Sequence, residues 1–411
     1  MALTRSEREQ LLQHIDESVQ TRFYDPHFNG RNWKEIVAQH RQQILNSDSD
    51  SAFEAAVADM LDELGSSGLG ILGPHTAVTP RSSINVSFRA VYTDSDGLRW
   101  AFQDVLPGGV ADRAGVKPAD LLIAIGSREV EPPVSPAFEM GQRTEMVISR
   151  AGDKHSLHID LTTQKPKYRS NPYSEPKSVA ASLLNKSVAN LKVSLFPGYV
   201  GIEFANEVSA AFDGILHDAS RLLIDLRGNP GGGIGGLRIM SYLTPDKTPI
   251  GFSLDRPMAE HGYDKEKLPR FGHIPRFKFQ LLPLALKFAN KRSIALVTEG
   301  FGRRPYHGRV AVLVNEHSTG AAEMLAQFAQ ENRLATIVGS KTAGRLVSRS
   351  GVKIGNGYTL VIPVAAYMSW NGDRIEGKGI TPDVPVDWSY EAALDGRDPQ
   401  LETALARLIA A

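Results

Sequence analysis

One segment constrains this chain more than any other. Ile224-Asp-Leu-Arg-Gly-Asn-Pro-Gly-Gly-Gly-Ile-Gly-Gly236 runs from an apolar stretch into five glycines within the six residues from Gly231. Glycines after a buried strand let successive backbone N–H groups point into one cavity, the arrangement that an oxyanion or carboxylate needs. In α/β proteins such sites sit at strand carboxyl ends. The segment lacks the Lys-Ser/Thr of a phosphate loop, which weakens a nucleotide reading.

A second loop of this kind follows another apolar run, Val314-Asn-Glu-His-Ser-Thr-Gly-Ala-Ala-Glu323. It leads into a helical pattern over 321–332 with Met324, Leu325 and Phe328 on one face. A helix start offers free N–H groups and the positive end of its dipole. The two loops read as halves of one oxyanion-binding site.

The remaining patterning divides the chain. Residues 4 to about 64 read as helices, with Leu11, Leu12, Ile15, Val19 and Phe23 at helical spacing and Phe53, Val57, Met60, Leu61 and Leu64 repeating it. A glycine-rich stretch, 65–74, closes that module. Short strands follow over 86–163, then a polar, Pro-containing crossing segment over 165–192. Beyond it, strands expected at 199–203, 222–226, 293–297, 310–314 and 336–339 alternate with helices expected at 207–217 and 321–332. That alternation predicts a parallel or mixed sheet covered by helices, ending in a helix over 399–410. The fold class expected is a multidomain α/β chain.

Composition narrows the chemistry. Forty-six Lys and Arg balance 46 Asp and Glu, which argues against a nucleic-acid or anionic-membrane surface. Zero cysteines remove disulfides, thiolate zinc sites and a cysteine nucleophile. The eleven histidines show no HExxH or comparable spacing, so neither metal nor cofactor is expected. No apolar run is long enough to span a bilayer, and the first residues read as a charged amphipathic helix, not a signal peptide. A cytoplasmic location is expected for the chain as given, and a periplasmic or secreted one if a leader was removed.

The blocks "LLIDLRGNPGG", "VAVLVNEHSTGAAEMLA", "ATIVGSKTAGR" and "IEGKGITPDVPV" resemble those of the C-terminal-processing (tail-specific) serine peptidases and the related core of tricorn protease. Val105 to Asp120 resembles the "AG(V/L)xxGD" signature of PDZ domains, with Ala119 where that family has Gly. The resemblance implies a helical N-terminal module (1–75), a PDZ-like small β-barrel (86–164) and a crotonase/ClpP-like spiral β-α core (193–411). It also implies hydrolysis by a serine nucleophile, and a peptide or protein C-terminus engaged by the PDZ-like domain through strand addition. Homo-oligomerisation is left open.

Carried over residue by residue, the resemblance leaves gaps. The nucleophile lies three residues before the glutamate of its block; Glu323 is that glutamate, so the position falls on Gly320. The lysine base of the Ser–Lys branch falls on Arg345, a guanidinium effectively always protonated. The histidine of the tricorn-like "LGxSHxG" block falls on Gly68. Ser67 and Glu376, the position of that branch's orienting carboxylate, survive. So do the implied oxyanion donors, Gly231 or Gly232 with the Ala321 N–H. Arg345 reads equally as a carboxylate binder or a structural ion pair.

Neighbours could stand in. Ser318 reads as an N-cap of the following helix, with Glu323 too far for a capping box, and adjacency to His317 does not make a dyad because neighbouring residues point apart. His75 reads as a loop residue. The leading expectation is a peptide-binding family member without standard proteolysis. The alternatives are a hydrolase with its nucleophile relocated to Ser318 or Ser67, and an enzyme repurposed for peptide natural-product chemistry.

Overall fold

The computed structural model describes residues 3–73, 84–138, 141–163, 177–288, 293–302 and 306–410. His75 lies outside them, as does most of the expected crossing segment. Three six-stranded sheets organise the described residues.

The central sheet carries the two loops. Its order is Val384–Pro385, Thr336–Gly339, Arg309–Val314, Arg221–Asp225, Val188–Val193 and Val179–Leu183. All neighbours run parallel except the last pair. Arg221–Asp225 and Arg309–Val314 lie side by side, Asp225 opposite Leu313. Both are apolar and buried, as strands covered on both faces must be. Their carboxyl ends therefore open at the same edge, and both loops leave from it.

One face of this sheet packs against helices Ile202–Asp213, Gly236–Leu243 and Ala321–Glu331 in the largest core cluster. The other is covered by Pro399–Ile409 through Ala404 and Leu408. Residues 199–203 form no strand: Gly201, at φ 69°, caps the helix that begins at Ile202. The crossing segment also ends earlier than 192, since Val179–Leu183 and Val188–Val193 already pair in the sheet.

The N-terminal helices Arg5–Arg22, Trp33–Leu45 and Asp50–Asp62 pack on a second sheet built around the long hairpin Val347–Gly355 and Tyr358–Ser369. Capping fits the sequence: Thr4, Asn32 and Ser49 each accept a backbone N–H of the first turn. Within the glycine-rich stretch, Gly70–Leu72 joins this sheet beside Tyr358–Ser369.

Residues 86–162 form the third, antiparallel sheet with its own core around Phe102, Leu122, Met146 and Ile148. Ala119 takes a φ of +68°, a left-handed conformation that costs a Cβ-bearing residue about 1–2 kcal/mol. No helix among the described residues is long and apolar enough to cross a membrane.

Candidate active-site cradle

The two loops are stitched together by backbone and amide bonds. Ser318 donates its hydroxyl to the Leu226 carbonyl (2.9 Å), and Thr319 N–H to the Asn229 carbonyl (2.9 Å). Asn315 Oδ1 accepts from Gly228 N–H (3.0 Å) and His317 N–H (3.1 Å). Ser318 is fully buried and its Oγ also accepts the Asn315 N–H (3.0 Å). It is not the N-cap expected of it. That place belongs to Gly320, because Ser318 is committed to the loop two residues earlier.

Gly320 has φ 61° and ψ −120°, a conformation open to glycine and strained for any other residue. A Cβ built there would lie 3.4 Å from Gly231 Cα, 3.9 Å from the Arg345 carbonyl and 4.0 Å from Gly232 N. The space is open and faces the glycine loop. A side chain at this position would point toward the glycine loop, and none is present.

The donors themselves separate. Gly231 N–H is taken by Asn229 Oδ1 at 2.8 Å, which leaves Gly232 of the two glycines. Phe196 fixes that loop by donating to Gly231 O (2.9 Å) and accepting from Gly233 N–H (2.8 Å). A Cβ on Gly232 would strike Phe196 O at 2.0 Å, so only glycine fits this approach. Neither Gly232 N–H nor Ala321 N–H meets an acceptor among the described residues. Two free donors thus border the empty position, as stabilisation of a carbonyl or carboxylate oxygen requires.

Glu323 holds the next loop against this turn. Its buried carboxylate accepts from Thr342 Oγ1 (2.6 Å), Gly344 N–H (2.7 Å), Arg345 N–H (2.9 Å) and Gly320 N–H (3.0 Å). The last bond is the reciprocal half of a capping box on Gly320, three residues before Glu323, and not on Ser318, five residues before it. Burial pushes its carboxyl up, with the four hydrogen bonds opposing. Arg345 contributes its backbone here while its side chain is exposed, in no ion pair among the described residues.

Glu376 anchors the other side. It accepts from Ser67 N–H (2.5 Å), Ser67 Oγ (2.9 Å) and Leu346 N–H (2.8 Å), and is itself buried. Gly68 follows immediately. A Cβ on Gly68 would meet Arg349 Cδ at 2.3 Å and Cγ at 3.0 Å, so the Arg349 side chain lies where a larger residue at 68 would extend. Arg349 escaped the sequence reading because its place beside Gly68 arises from pairing in the hairpin, where it stands opposite Pro363. Spacing along the chain carries no trace of that.

The antiparallel module reaches the same loop. Asp104 accepts from Asn315 Nδ2 (2.9 Å), Gln103 Nε2 donates to Glu316 (3.0 Å), and Arg89 pairs with Glu316 (3.0 Å). His317 Nε2 lies 3.2 Å from Gln103 Oε1, turned to the module and not to Gly320.

Residues 187–386 match the model of peptidase family S41. These residues, nearly half of the chain, belong to peptidase family S41. It is 24% identical over 362 residues to a "Probable CtpA-like serine protease" of Staphylococcus aureus (strain bovine RF122 / ET3-1), covering 84% of this chain but 63% of that protein. Among solved structures, the photosystem II D1 C-terminal processing protease shares the fold with a TM-score of 0.57 at 18% identity, covering 99% of this chain and 98% of that one. The tricorn protease aligns over 98% of this chain and 37% of its own, with a TM-score of 0.50 at 17% identity. At such identities the structural likeness speaks for the mixed α/β multidomain fold.

Proposed function

We propose that this family S41 protein binds a peptide or peptide-like ligand in the cradle between Gly232 and Ala321 without cleaving it by the standard serine mechanism. One observation carries the reading: the turn at Gly320 keeps an open, donor-lined position and supplies no hydroxyl to fill it. A glycine cannot attack a carbonyl or carry a proton, and the nucleophile–base pair supplies most of the chemistry in such sites. Arg349, not a base, fills the space beside Gly68. In this reading residues 86–164 form a PDZ-like domain that takes a peptide C-terminus by strand addition, and 193–411 form the crotonase/ClpP-like core. Arg345, exposed beside the cradle, is suited to pair with a ligand carboxylate.

Relocation of the nucleophile to Ser318 finds no support, since its hydroxyl is buried and bonded to Leu226. Ser67 is different: it is half-buried, with its Oγ 2.9 Å from the buried Glu376 carboxylate. It sustains a second reading, a hydrolase using Ser67. The deciding experiment incubates the purified protein with an unstructured protein such as casein and with a fluorophosphonate probe, while measuring peptide binding by fluorescence anisotropy. Binding without cleavage or labelling is expected. Cleavage at ordinary peptidase rates with labelling overturns the leading reading, and loss of both on Ser67→Ala would assign them to that serine.

A further inference from the structure

Two guanidinium groups at the rim of the cradle have nothing to hold. Among the described residues the side chains of Arg345 and Arg349 are exposed and make no hydrogen bond or ion pair. Each is a permanently charged fork of five N–H donors, so both keep their full capacity for an anion. The carboxylates of the cradle wall are already spent. Glu323 is taken by Thr342, Gly344, Arg345 and Gly320, and Glu376 by Ser67 and Leu346, all through neutral hydroxyl or backbone donors.

The seat of Arg349 is specific. Glu376 joins Leu346 N–H (2.8 Å) to Ser67 Oγ (2.9 Å), so the chain at 345–346 and the chain at 67–68 form one wall. Gly68 lies in that wall at φ +76° without a Cβ. The methylenes of Arg349 occupy the space beside it, Cγ lying 3.0 Å from where that Cβ would stand and Cδ nearer still. The hairpin ladder slips at this point: Ser348 pairs with Ala365 and Arg349 with Pro363, passing over Val364. Such a bulge re-aims side chains beside it. At the other end of the wall, the open position at Gly320 lies 3.9 Å from the Arg345 carbonyl. The stretch from 345 to 349 spans at most about 13 Å, the reach of about four residues of extended peptide.

Resting on the ligand-binding reading above, we propose that Arg349, seated by Gly68, is a second anion-binding residue of the cradle, and that the ligand is a peptide bearing an acidic side chain within about four residues of its own carboxyl end. The terminal carboxylate meets the free Gly232 and Ala321 N–H groups and Arg345, on the positive end of helix Ala321–Glu331. The acidic side chain lies on the Arg349 fork. A neutral peptide leaves Arg349 in water at no cost, so the acidic group adds affinity and selects among ligands.

The test crosses peptide with protein. Fluorescein-labelled Ala-Ala-Glu-Ala-Ala and Ala-Ala-Gln-Ala-Ala, both with free carboxyl ends, are titrated by anisotropy with the full chain and with its Arg349→Gln and Arg345→Gln variants. The parent should bind the Glu peptide roughly fivefold more tightly at low salt, a preference that shrinks at high salt. Arg349→Gln should abolish that preference and leave the affinity for the Gln peptide unchanged, whereas Arg345→Gln should weaken both peptides alike. Circular dichroism should match the parent throughout, because both side chains are exposed. Equal binding of the two peptides by the parent overturns the inference, as does a preference that persists in Arg349→Gln or disappears in Arg345→Gln; the ligand-binding reading then still stands. Failure of both peptides to bind overturns the two together.

Discussion

Gly320→Ser tests whether the cradle still holds the shape that a nucleophile needs. Two contributions set its effect. The first is conformational: at φ 61° and ψ −120° a residue with a Cβ is strained by about 1–3 kcal/mol. The second is steric, and it is near zero, because the nearest atoms to a built Cβ stand at 3.4 Å or beyond, an ordinary contact. A serine hydroxyl can recover part of the strain by accepting from the free Gly232 N–H, about 0.5–1.5 kcal/mol. The net expectation is a loss of about 1–2 kcal/mol, or roughly 2–8 °C in the melting temperature of a unit this size. Gly320→Ala should lose more than Gly320→Ser, since it keeps the strain without the hydroxyl. Gly70→Ala is the control: its Cβ meets nothing within 4 Å and no positive φ is involved, so it should be neutral. Scanning calorimetry of the four proteins gives the ordering. A Gly320→Ser protein as stable as the parent, or less stable than Gly320→Ala, would refute the reasoning.

Two further outcomes follow from the site and its surroundings. Placing a hydroxyl and an imidazole together, Gly320→Ser with Gly68→His, should yield little probe labelling while Arg349 occupies the adjoining space, and adding Arg349→Ala should raise labelling clearly; equal labelling of the double and triple variants would show that Arg349 is no obstacle. Below the central sheet's edge, burial pushes the Asp225 carboxyl up, but Arg227 and Lys192 reverse this and hold it well below its ordinary 3.8. That stabilisation is fully present above about pH 4 and is lost as the pH falls through the lowered value. Asp225→Asn should therefore destabilise by about 2–4 kcal/mol at neutral pH, with a gap that narrows in acid denaturation curves.

Much of this was legible in the chain because it depends on local chemistry. Apolar runs such as Arg221–Asp225 and Arg309–Val314 declare buried strands, and the glycines after the first declare an approach that a Cβ would prevent. The helix start at Gly320 lies three residues before Glu323, close enough in sequence for its reciprocal cap to be read from spacing. What escaped depends on pairing between distant segments. The hairpin Val347–Gly355 with Tyr358–Ser369, which carries Arg349 to Gly68, has no signature at short range. Strand Val179–Leu183 looked like part of a crossing segment because its edge position tolerates polar residues, and the polar run before it drew in Val188–Val193, which is paired on both sides. Residues 199–203 alternate like a strand but meet no partner, and Gly201 diverts them into a helix. Ser318 looked like a cap because capping rules are local, while its actual partner, Leu226, lies ninety-two residues away in sequence.

The seating of Arg349 against Gly68 also orders the routes by which a chain like this can change. A histidine arriving at position 68 meets Arg349 Cδ at 2.3 Å, so it is disfavoured until position 349 has shortened or the arginine has swung away. A serine arriving at 320 meets no such barrier. The two positions are thus unequally open to change. A larger residue at 320 is a single substitution away, whereas one at 68 waits both on its own φ of +76° and on a residue 281 positions further along the chain, which makes change on that side behave as a ratchet.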